Sequence, residues 1–361
     1  FGHRRRMLTT LLAFASLQRK GAQPPALQPR ERGWNDDHAV LGATETSCKV
    51  MANNRRLLQD LTSACDAYPK LTILLNVFDA TWGVYRDCSD LNCSYLNCGD
   101  LTPPVPLPPC IRQVTHVSGM KTAFWRYIIT PEAINKFAPH AEVVWLFDND
   151  MQVSSTDFDL RGAVTSLVEA EAAAAQPRVG LHRPDKVSNE AFQELMSRRR
   201  ASGEDFASLS AANALSPAGC RAQSIPWMES QTPMMRREAY EVLHGQVLSV
   251  LEPNIFNFTV GGVSHIWCAL FARVLPRFRA GCAVLDTVVN TNTKEFSTIR
   301  ETAGSTNVTR AIGSHDHEAC SWIATHFPKL WPYARSECHP PRASQDFRRT
   351  RGLEARGQCL L

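Results

Sequence analysis

The fold of this chain is decided by residues 143–150, which read VVWLFDND. Five consecutive apolar residues that end in charge predict a strand buried on both faces, as in a parallel sheet covered by helices. Ligands of open α/β sheets bind just outside the carboxyl ends of such strands. We therefore expect Asp148 and Asp150 to lie where a substrate binds.

The two carboxylates are hard oxygen donors, which suit Mg²⁺ or Mn²⁺ shared between the protein and a substrate diphosphate. Asp150 is the better direct ligand, whereas Asp148 either completes the metal shell or binds a ribose, and Asn149 turns the chain. The alternative is structural, because Asp often ends a strand by capping the next turn. An Asp-x-Asp triplet also recurs by chance, so both interpretations stay open.

Composition and motifs exclude several classes of protein. The 361 residues are 44% hydrophobic and 20% charged with a formal net charge of +4, which is typical of an ordinary soluble protein. The arginine runs are too short to follow nucleic-acid phosphates, so no nucleic-acid partner is expected. The chain contains no Gly-x-Gly-x-x-Gly, Gly-x-Ser-x-Gly or phosphate-loop motif, which argues against a reductase, a serine hydrolase and a nucleoside triphosphatase.

The first residues of the chain favour the secretory pathway. Residues 4–6 are basic and residues 7–17 are mostly apolar, which is typical of a cleaved signal peptide. The apolar run is too short to span a bilayer, so the stub of a membrane anchor that begins upstream also fits. A plain surface helix is the alternative.

The cysteines favour the same compartment. The chain has 12 of them, and four crowd one loop-like stretch at Cys88, Cys93, Cys98 and Cys110. Their spacing fits no zinc finger, so disulfides are the better interpretation. Glycosylation sequons begin at Asn92, Asn257 and Asn307. Because disulfides persist in oxidising compartments, we expect the Golgi or endoplasmic reticulum lumen.

We expect three segments along the chain. A disordered leader covers residues 1–47, one α/β domain covers residues 48–335, and a loose basic tail covers residues 336–361. The leader is rich in Arg, Gln and Pro and shows no hydrophobic period. Residues 185–222 predict a solvated helix and a flexible insertion, with a phosphate-binding lid as the alternative.

Hydrophobic periodicity predicts alternating helices and strands within the domain. Helices are expected at residues 50–67, 121–129, 158–175, 236–248 and 266–274, with one more that starts at Pro131 and is capped by Thr130. Strands are expected at residues 71–78, 143–147, 176–181 and 283–286. Because a helix connects the second of these strands to the third, we expect the two to pair in parallel.

Five pieces of the chain, taken in order, resemble a known family. They are KTAFW at residues 121–125, VWLFDND at 144–150, QP at 176–177, WMESQTPMMRR at 227–237 and VLD at 284–286. Their order and spacing resemble a plant and microbial family of unknown function that is labelled "lysine-ketoglutarate reductase trans-splicing related". That family is similar to the A-type nucleotide-sugar glycosyltransferases, and the match runs over residues 71–292.

The resemblance implies an α/β fold with a mixed, mainly parallel sheet flanked by helices, as in nucleotide-diphospho-sugar transferases (GT-A-like). It implies Mn²⁺ or Mg²⁺ at Asp148 and Asp150, and a nucleotide-sugar donor bound by these residues together with Asn149 and Lys121. The acceptor would be a glycan or a protein.

Two carboxylates are candidates for catalysis in such a transferase. Glu229 follows Trp227 and precedes a Gln-Thr-Pro turn, a position suited to gripping acceptor hydroxyls or to acting as a base. The alternative is a capping or salt-bridged surface acid. Asp286 either serves the acceptor or only ends a strand. Trp227 either supports a sugar face or packs in the core.

Three histidines remain as candidates for a metal ligand or a base: His265, His315 and His317. The last two follow the last predicted strand, where a loop could bring His315 to the cation as a third ligand.

The chain departs from the family pattern at two places. Ser264 lies where the family has an acidic residue, so a carboxylate expected near the acceptor is missing. Asn290 or Asn292 replaces a histidine that follows the last strand. The alternative function is therefore a non-catalytic lumenal carbohydrate-binding or scaffold protein with the same fold.

Overall fold

The structure is a computed structural model that describes residues 38–46, 56–77, 86–87, 95–96, 105–115, 121–181, 220–256, 262–292, 318–331 and 358–361. Its strands are β1 Val40–Thr46, β2 Leu71–Val77, β3 Arg86–Asp87, β4 Tyr95–Leu96, β5 Val105–Pro106, β6 Ile111–Thr115, β7 Val143–Phe147, β8 Ala172–Leu181, β9 Ala222–Ser224, β10 Met234–Arg236 and β11 Ala280–Asn292. Its helices are α1 Arg56–Ala67, α2 Lys121–Tyr127, α3 Pro131–Phe137, α4 Leu160–Glu169, α5 Arg237–Gln246, α6 Pro253–Phe256, α7 Val263–Val274 and α8 at residues 318–326.

Nine of these strands form one mixed sheet in the order β3-β6-β2-β1-β7-β10-β8-β11-β9. The neighbours β6, β2, β1 and β7 are parallel, and β8 is parallel to β11. Strand β10 is antiparallel to both β7 and β8, and the edge strands β3 and β9 are also antiparallel to their neighbours. The carboxyl ends of the central parallel strands therefore meet at one edge of the sheet.

Helices cover both faces of this sheet. Helices α1 and α4 contribute to one apolar core, and α2, α3, α5 and α7 contribute to the other. In β7, Trp145 and Phe147 belong to the first core while Val144 and Leu146 belong to the second, as the alternation of side chains along a strand requires. The predicted mixed, mainly parallel sheet flanked by helices is confirmed.

Several predicted elements are confirmed within the described residues. Strands β2 and β7 and helices α2, α3, α5 and α7 lie where periodicity placed them. The Thr130 side chain accepts a hydrogen bond from the N–H of Ala133, and Pro131 occupies the first turn of α3. The hydroxyl cap and the proline therefore start this helix as expected.

The predicted leader over residues 1–47 is wrong for residues 40–46. These residues form β1, which pairs with β2 on one side and with β7 on the other. Val40, Leu41 and Ala43 are buried at about 1% exposure or less. This segment is therefore the central strand of the parallel half of the sheet.

The prediction was also wrong about residues 172–175 and about strand pairing. Helix α4 ends at Glu169, and the four alanines from Ala172 to Ala175 begin β8, where all are fully buried. Strands β7 and β8 do not pair with each other, because the short antiparallel strand β10 lies between them.

Two C-terminal segments also differ from expectation. Strand β11 continues past Asp286 to Asn292, with an irregularity in its pairing to β8 between Leu285 and Val289. Residues 358–361, expected as part of a loose tail, pack against β9: Leu360 is buried, and its N–H donates to the carbonyl of Ala222 at 2.8 Å.

Disulfides are present, as predicted. Between described residues they join Cys65 to Cys110, Cys220 to Cys359 and Cys268 to Cys282. Cys320 is also disulfide-bonded. In the part of the chain that the structure describes, no cysteine is free. No helix in the described ranges is both long enough and apolar enough to cross a membrane.

Candidate functional site

Polar side chains from neighbouring strands meet at the carboxyl edge of the sheet. In the parallel register, Glu45 of β1 lies opposite Asn76 of β2, and Thr44 lies opposite Phe147 of β7. Because Asp148 directly follows Phe147, Glu45 and Asp148 are neighbours at this edge. The topology therefore places two acids together that are about a hundred residues apart in the chain.

An ion pair between Lys121 and Asp148 forms the centre of this site. The ammonium of Lys121 donates to both carboxylate oxygens of Asp148, at 2.7 and 3.0 Å, and to the carbonyl of Ser230 at 2.9 Å. The Lys121 side chain is 12% exposed and that of Asp148 is 26% exposed. The pair is thus largely shielded from water, which strengthens its attraction.

The segment that follows β9 is held against β7 by backbone hydrogen bonds. The N–H of Asp148 donates to the carbonyl of Gln231 at 2.8 Å, and the N–H of Leu146 donates to Pro233 at 2.9 Å. Inside the core, Trp145 donates its ring N–H to the hydroxyl of Thr232 at 3.0 Å. The WMESQTP piece of the sequence is therefore brought beside the acidic strand end.

Charge and burial shift the pKa of Asp148. Burial raises the pKa of this carboxyl, Lys121 lowers it by its charge and its hydrogen bonds, and the charge of Glu229 raises it. The net direction is upward. Glu229 is thus close enough to Asp148 for the two carboxylates to repel each other.

Glu45 was missed by the sequence analysis because it lies in the predicted leader. Burial raises its pKa to about 8, with Lys121 lowering the value and Asp148 raising it. Hydrogen bonding by the Asn76 side chain and by the backbone of Lys121 lowers this pKa in turn. At neutral pH this acid is therefore mostly protonated. Residues 40–46 read VLGATET, and the apolar residues that precede Glu45 in this stretch were the available signal for a buried strand.

Gln176 and Glu229 are joined across the site. The N–H of Glu229 donates to Oε1 of Gln176 at 2.9 Å, and Gln176 on β8 is fully buried. Its Nε2 atom is buried and has no hydrogen-bond partner among the described residues. The backbone of Glu229 is thus fixed while its partly exposed side chain extends from the segment after β9.

Asn149 and Asp150 form the turn that follows β7. The N–H of Met151 donates to the carbonyl of Asp148 at 3.1 Å and closes this turn. Both side chains are half-buried. Asp150 therefore lies in the turn that directly follows Asp148.

Of the other predicted site residues, Asp286, Trp227 and His265 are described by the structure, whereas His315 and His317 are not. Asp286 lies inside β11, and its N–H donates to the carbonyl of Arg221 at 2.8 Å. Trp227 is only 5% exposed and packs 5.8 Å from the ring of His265, which favours its core interpretation. His315, His317 and most of the predicted insertion lie outside the described residues.

The residues fit a divalent cation at Asp150 better than at Asp148. Both oxygens of Asp148 are bonded to an ammonium, and a second cation at the same carboxylate would be repelled. Within the described ranges, no three His, Cys, Asp or Glu residues are grouped to hold a metal. A Mg²⁺ or Mn²⁺ ion held mainly by substrate oxygens needs only one or two carboxylates, so Asp150 stays a predicted ligand.

No protein-family model matches the chain, and no curated protein matches it. The family resemblance therefore stays a prediction. Among solved structures, the chain is similar to the mannosyltransferase PcManGT from Pyrobaculum calidifontis in complex with GDP-Man and Mn²⁺, at 14% identity and a TM-score of 0.35 over 79% of this chain and 63% of that one. It is also similar to TarS from S. aureus, at 11% identity and a TM-score of 0.36 over 83% of this chain and 44% of that one. The chain thus spans less than two thirds of either structure.

Proposed function

We propose that this chain is a nucleotide-sugar-dependent glycosyltransferase with a GT-A-like fold, which moves a sugar from its donor to a glycan or protein acceptor. One observation carries the proposal. The ammonium of Lys121 is fixed on Asp148 at the carboxyl end of β7, with the carboxylate of Asp150 two residues further on. A cation and an acid at the edge where ligands of α/β sheets bind suit a diphosphate group.

Lys121 supplies the fixed positive charge in this mechanism. As the bond between the sugar and the diphosphate breaks, negative charge grows on the leaving diphosphate. A preorganised ammonium in a site shielded from water stabilises that charge without reorganising first. Asp148 and the carbonyl of Ser230 keep the ammonium in place.

Asp150 would hold the divalent cation, and Asn149 would shape the turn that presents it. Mn²⁺ or Mg²⁺, when bound, neutralises the diphosphate and orients it. Removing the Asp150 carboxylate should weaken donor binding in the presence of the metal.

Glu229 is the proposed base. Gln176 holds its backbone, and its side chain lies near the ion pair. The carboxylate would accept the proton of the acceptor hydroxyl while the acceptor oxygen bonds to the sugar carbon and the diphosphate leaves. Asp286 would bind a second acceptor hydroxyl, and His315 would supply a further metal ligand.

The cysteines support a lumenal location. All seven described cysteines are disulfide-bonded, and disulfides persist in oxidising compartments. We propose the Golgi or endoplasmic reticulum lumen as the location of the protein.

A donor-binding screen tests the function. Thermal shifts with a panel of nucleotide sugars should appear with MnCl₂ in the wild type and disappear in Asp150→Asn. The matched control is Asp157→Asn, which makes the same change at an exposed position of the following loop and should keep the shift. If no donor of the panel shifts the melting temperature of the wild type, the proposal is wrong.

A non-catalytic carbohydrate-binding protein is the second candidate. One observation favours it: Ser264 of α7 stands where the family resemblance implies an acid. In that case a glycan would shift the melting temperature equally in wild type and Asp150→Asn, and no donor would be consumed.

A further inference from the structure

The pairing between β10 and β8 ends at Met234 and Ala175. The residue before Met234 is Pro233, which has no N–H to donate to β8. The carbonyl of Pro233 accepts a hydrogen bond from the N–H of Leu146 in β7 at 2.9 Å. The backbone of this segment is thus bonded to β7 at Pro233, where its pairing with β8 has ended.

The side chain of Gln176 continues the contact with β8 where the strand pairing stops. Gln176 directly follows Ala175, and its Oε1 atom accepts the N–H of Glu229 at 2.9 Å. Glu229 directly precedes Ser230, whose carbonyl accepts from the ammonium of Lys121 at 2.9 Å. A side-chain hydrogen bond from β8 therefore fixes the residue next to the contact with Lys121.

The other half of the same amide has no such role. Gln176 is fully buried, and its Nε2 atom has no hydrogen-bond partner within the described part of the chain. A buried donor without a partner destabilises the folded state, and an apolar side chain of the same shape removes that penalty. For packing alone, methionine would therefore serve at this position as well as glutamine.

We propose that Gln176 is a positioning residue for Glu229: its Oε1 atom fixes the backbone from which the side chain of the proposed base extends. The consequence for catalysis rests on the proposed function, whereas the hydrogen bond and its effect on the backbone of Glu229 do not.

Hydrogen exchange at single amides of the full chain tests the position of Glu229. Gln176→Met removes the acceptor and should accelerate exchange at the N–H of Glu229 about fivefold, the factor that corresponds to one lost hydrogen bond. The N–H groups of Leu146 and Asp148 donate to carbonyls of the same segment, and their exchange should stay within about twofold of wild type. Gln176→Glu keeps an oxygen acceptor and should restore slow exchange at Glu229.

The matched control is Gln113→Met. Gln113 is 1% exposed and, like Gln176, has a buried amide atom without a hydrogen-bond partner among the described residues. It lies in β6, and β2, β1, β7 and β10 lie between that strand and β8. This variant should leave exchange at Glu229 unchanged.

The melting temperature distinguishes positioning from a purely structural role. Because Gln176→Met also removes the unpartnered Nε2 atom, its melting temperature should not fall by more than about 2 °C. A larger fall, or loss of folding, would show that Gln176 serves packing and would overturn the proposal. Unchanged exchange at Glu229 would overturn it too, and so would equal acceleration at Leu146 and Asp148, because the whole segment would then be loosened.

Kinetics with the donor that binds in the thermal-shift screen test the consequence for catalysis. With water as the acceptor, Gln176→Met should lower kcat for donor hydrolysis about tenfold to a hundredfold, since a misplacement of about 1 Å can cost a hundredfold. The KM for the donor should stay within about twofold. In a Glu229→Gln background the same substitution should have no further effect, and an additional loss there would contradict positioning of Glu229. If the wild type binds no donor, the proposed function is wrong, whereas the exchange rates still decide the position of Glu229.

Discussion

The ammonium of Lys121 lies 2.7 and 3.0 Å from the two carboxylate oxygens of Asp148. This contact joins the first residue of a helix on one face of the sheet to the residue that follows the central strand β7. Because both side chains are largely buried, each charge depends on the other for compensation. The pair therefore matters for stability as well as for the proposed chemistry.

We expect Asp148→Asn to lower the free energy of unfolding by about 2 kcal/mol, because an amide cannot compensate the shielded ammonium. Glu241→Gln is the matched control: it removes a carboxylate 2.8 Å from Arg237 on a more exposed helix surface, and should cost less than about 1 kcal/mol. Urea unfolding measures both variants. Equal losses would contradict the assignment of a shielded pair.

Glu45 should make stability depend on pH. Its pKa is about 8 in the folded protein and 4.5 as a free group, so between these values the folded state holds a proton that the unfolded chain releases. Stability should therefore fall as pH rises through this window. Glu45→Gln cannot titrate, so its stability relative to wild type should rise with pH, by at most roughly 1.4 kcal/mol per pH unit. Urea unfolding at several pH values measures the stability of both proteins. Parallel curves of stability against pH for wild type and Glu45→Gln would contradict the raised pKa of Glu45.

The disulfide between Cys220 and Cys359 should hold the last residues on β9. It closes a sequence separation of 139 residues, and replacing both cysteines by alanine should cost about 2–4 kcal/mol. Hydrogen exchange at the N–H of Leu360 should accelerate at the same time. The control is the same double replacement at Cys65 and Cys110, which should leave Leu360 protected. Unchanged exchange in the first variant would show that backbone hydrogen bonds alone hold this segment.

Gly281 allows β11 to approach α7 closely. A Cβ atom there would collide with the backbone carbonyl of Cys268 and lie 2.9 Å from the backbone nitrogen of Ala272. Gly281→Ala should therefore lower stability by about 1–3 kcal/mol. Gly245→Ala, in helix α5 with nothing within 4 Å of the new atom, should raise it by about 0.5–1 kcal/mol. Thermal unfolding gives the stability of the two variants relative to wild type. A Gly281→Ala variant as stable as wild type would disprove the close approach of β11 to α7.

The sequence predicted well those elements whose residues are mostly apolar, because such segments can be recognised as buried from composition alone. Strand β7 is apolar on both faces because helices cover both faces. Strand β1 was not predicted, because its apolar residues alternate with Gly42, Thr44, Glu45 and Thr46 and form no apolar run. In the structure it is buried, with a paired strand on each side. At Gly42 the side chains of neighbouring strands lie 3.3–3.4 Å from the position of a Cβ, so the glycine reflects packing and not a turn.

The alanines at residues 172–175 show the opposite error. Alanine has the highest intrinsic helix propensity, and the run extends a helical pattern that begins before it. In the structure these small side chains are fully buried in β8, between β10 and β11. Tertiary packing decides here, and no local pattern carries that information.

The candidate site was only partly predictable for a related reason. Asp148, Asp150, Lys121 and Glu229 stand in motifs that could be compared with a family. The carbonyl of Ser230 could not be foreseen, because every residue has one and only the fold selects which carbonyl faces Lys121. The place of Glu45 in the site depends on the order of strands in the sheet, because Glu45 lies near Asp148 only when β1 is beside β7.

The placement of β1 also sets a limit on where the chain can be shortened for laboratory use. A fragment that begins after Thr46 would lack β1, the strand that lies between β2 and β7. The sheet would then be divided into two parts, and their new edges would expose unpaired hydrogen-bonding groups that promote self-association. Recombinant versions should therefore retain residues 38–46, even though composition alone would suggest trimming them.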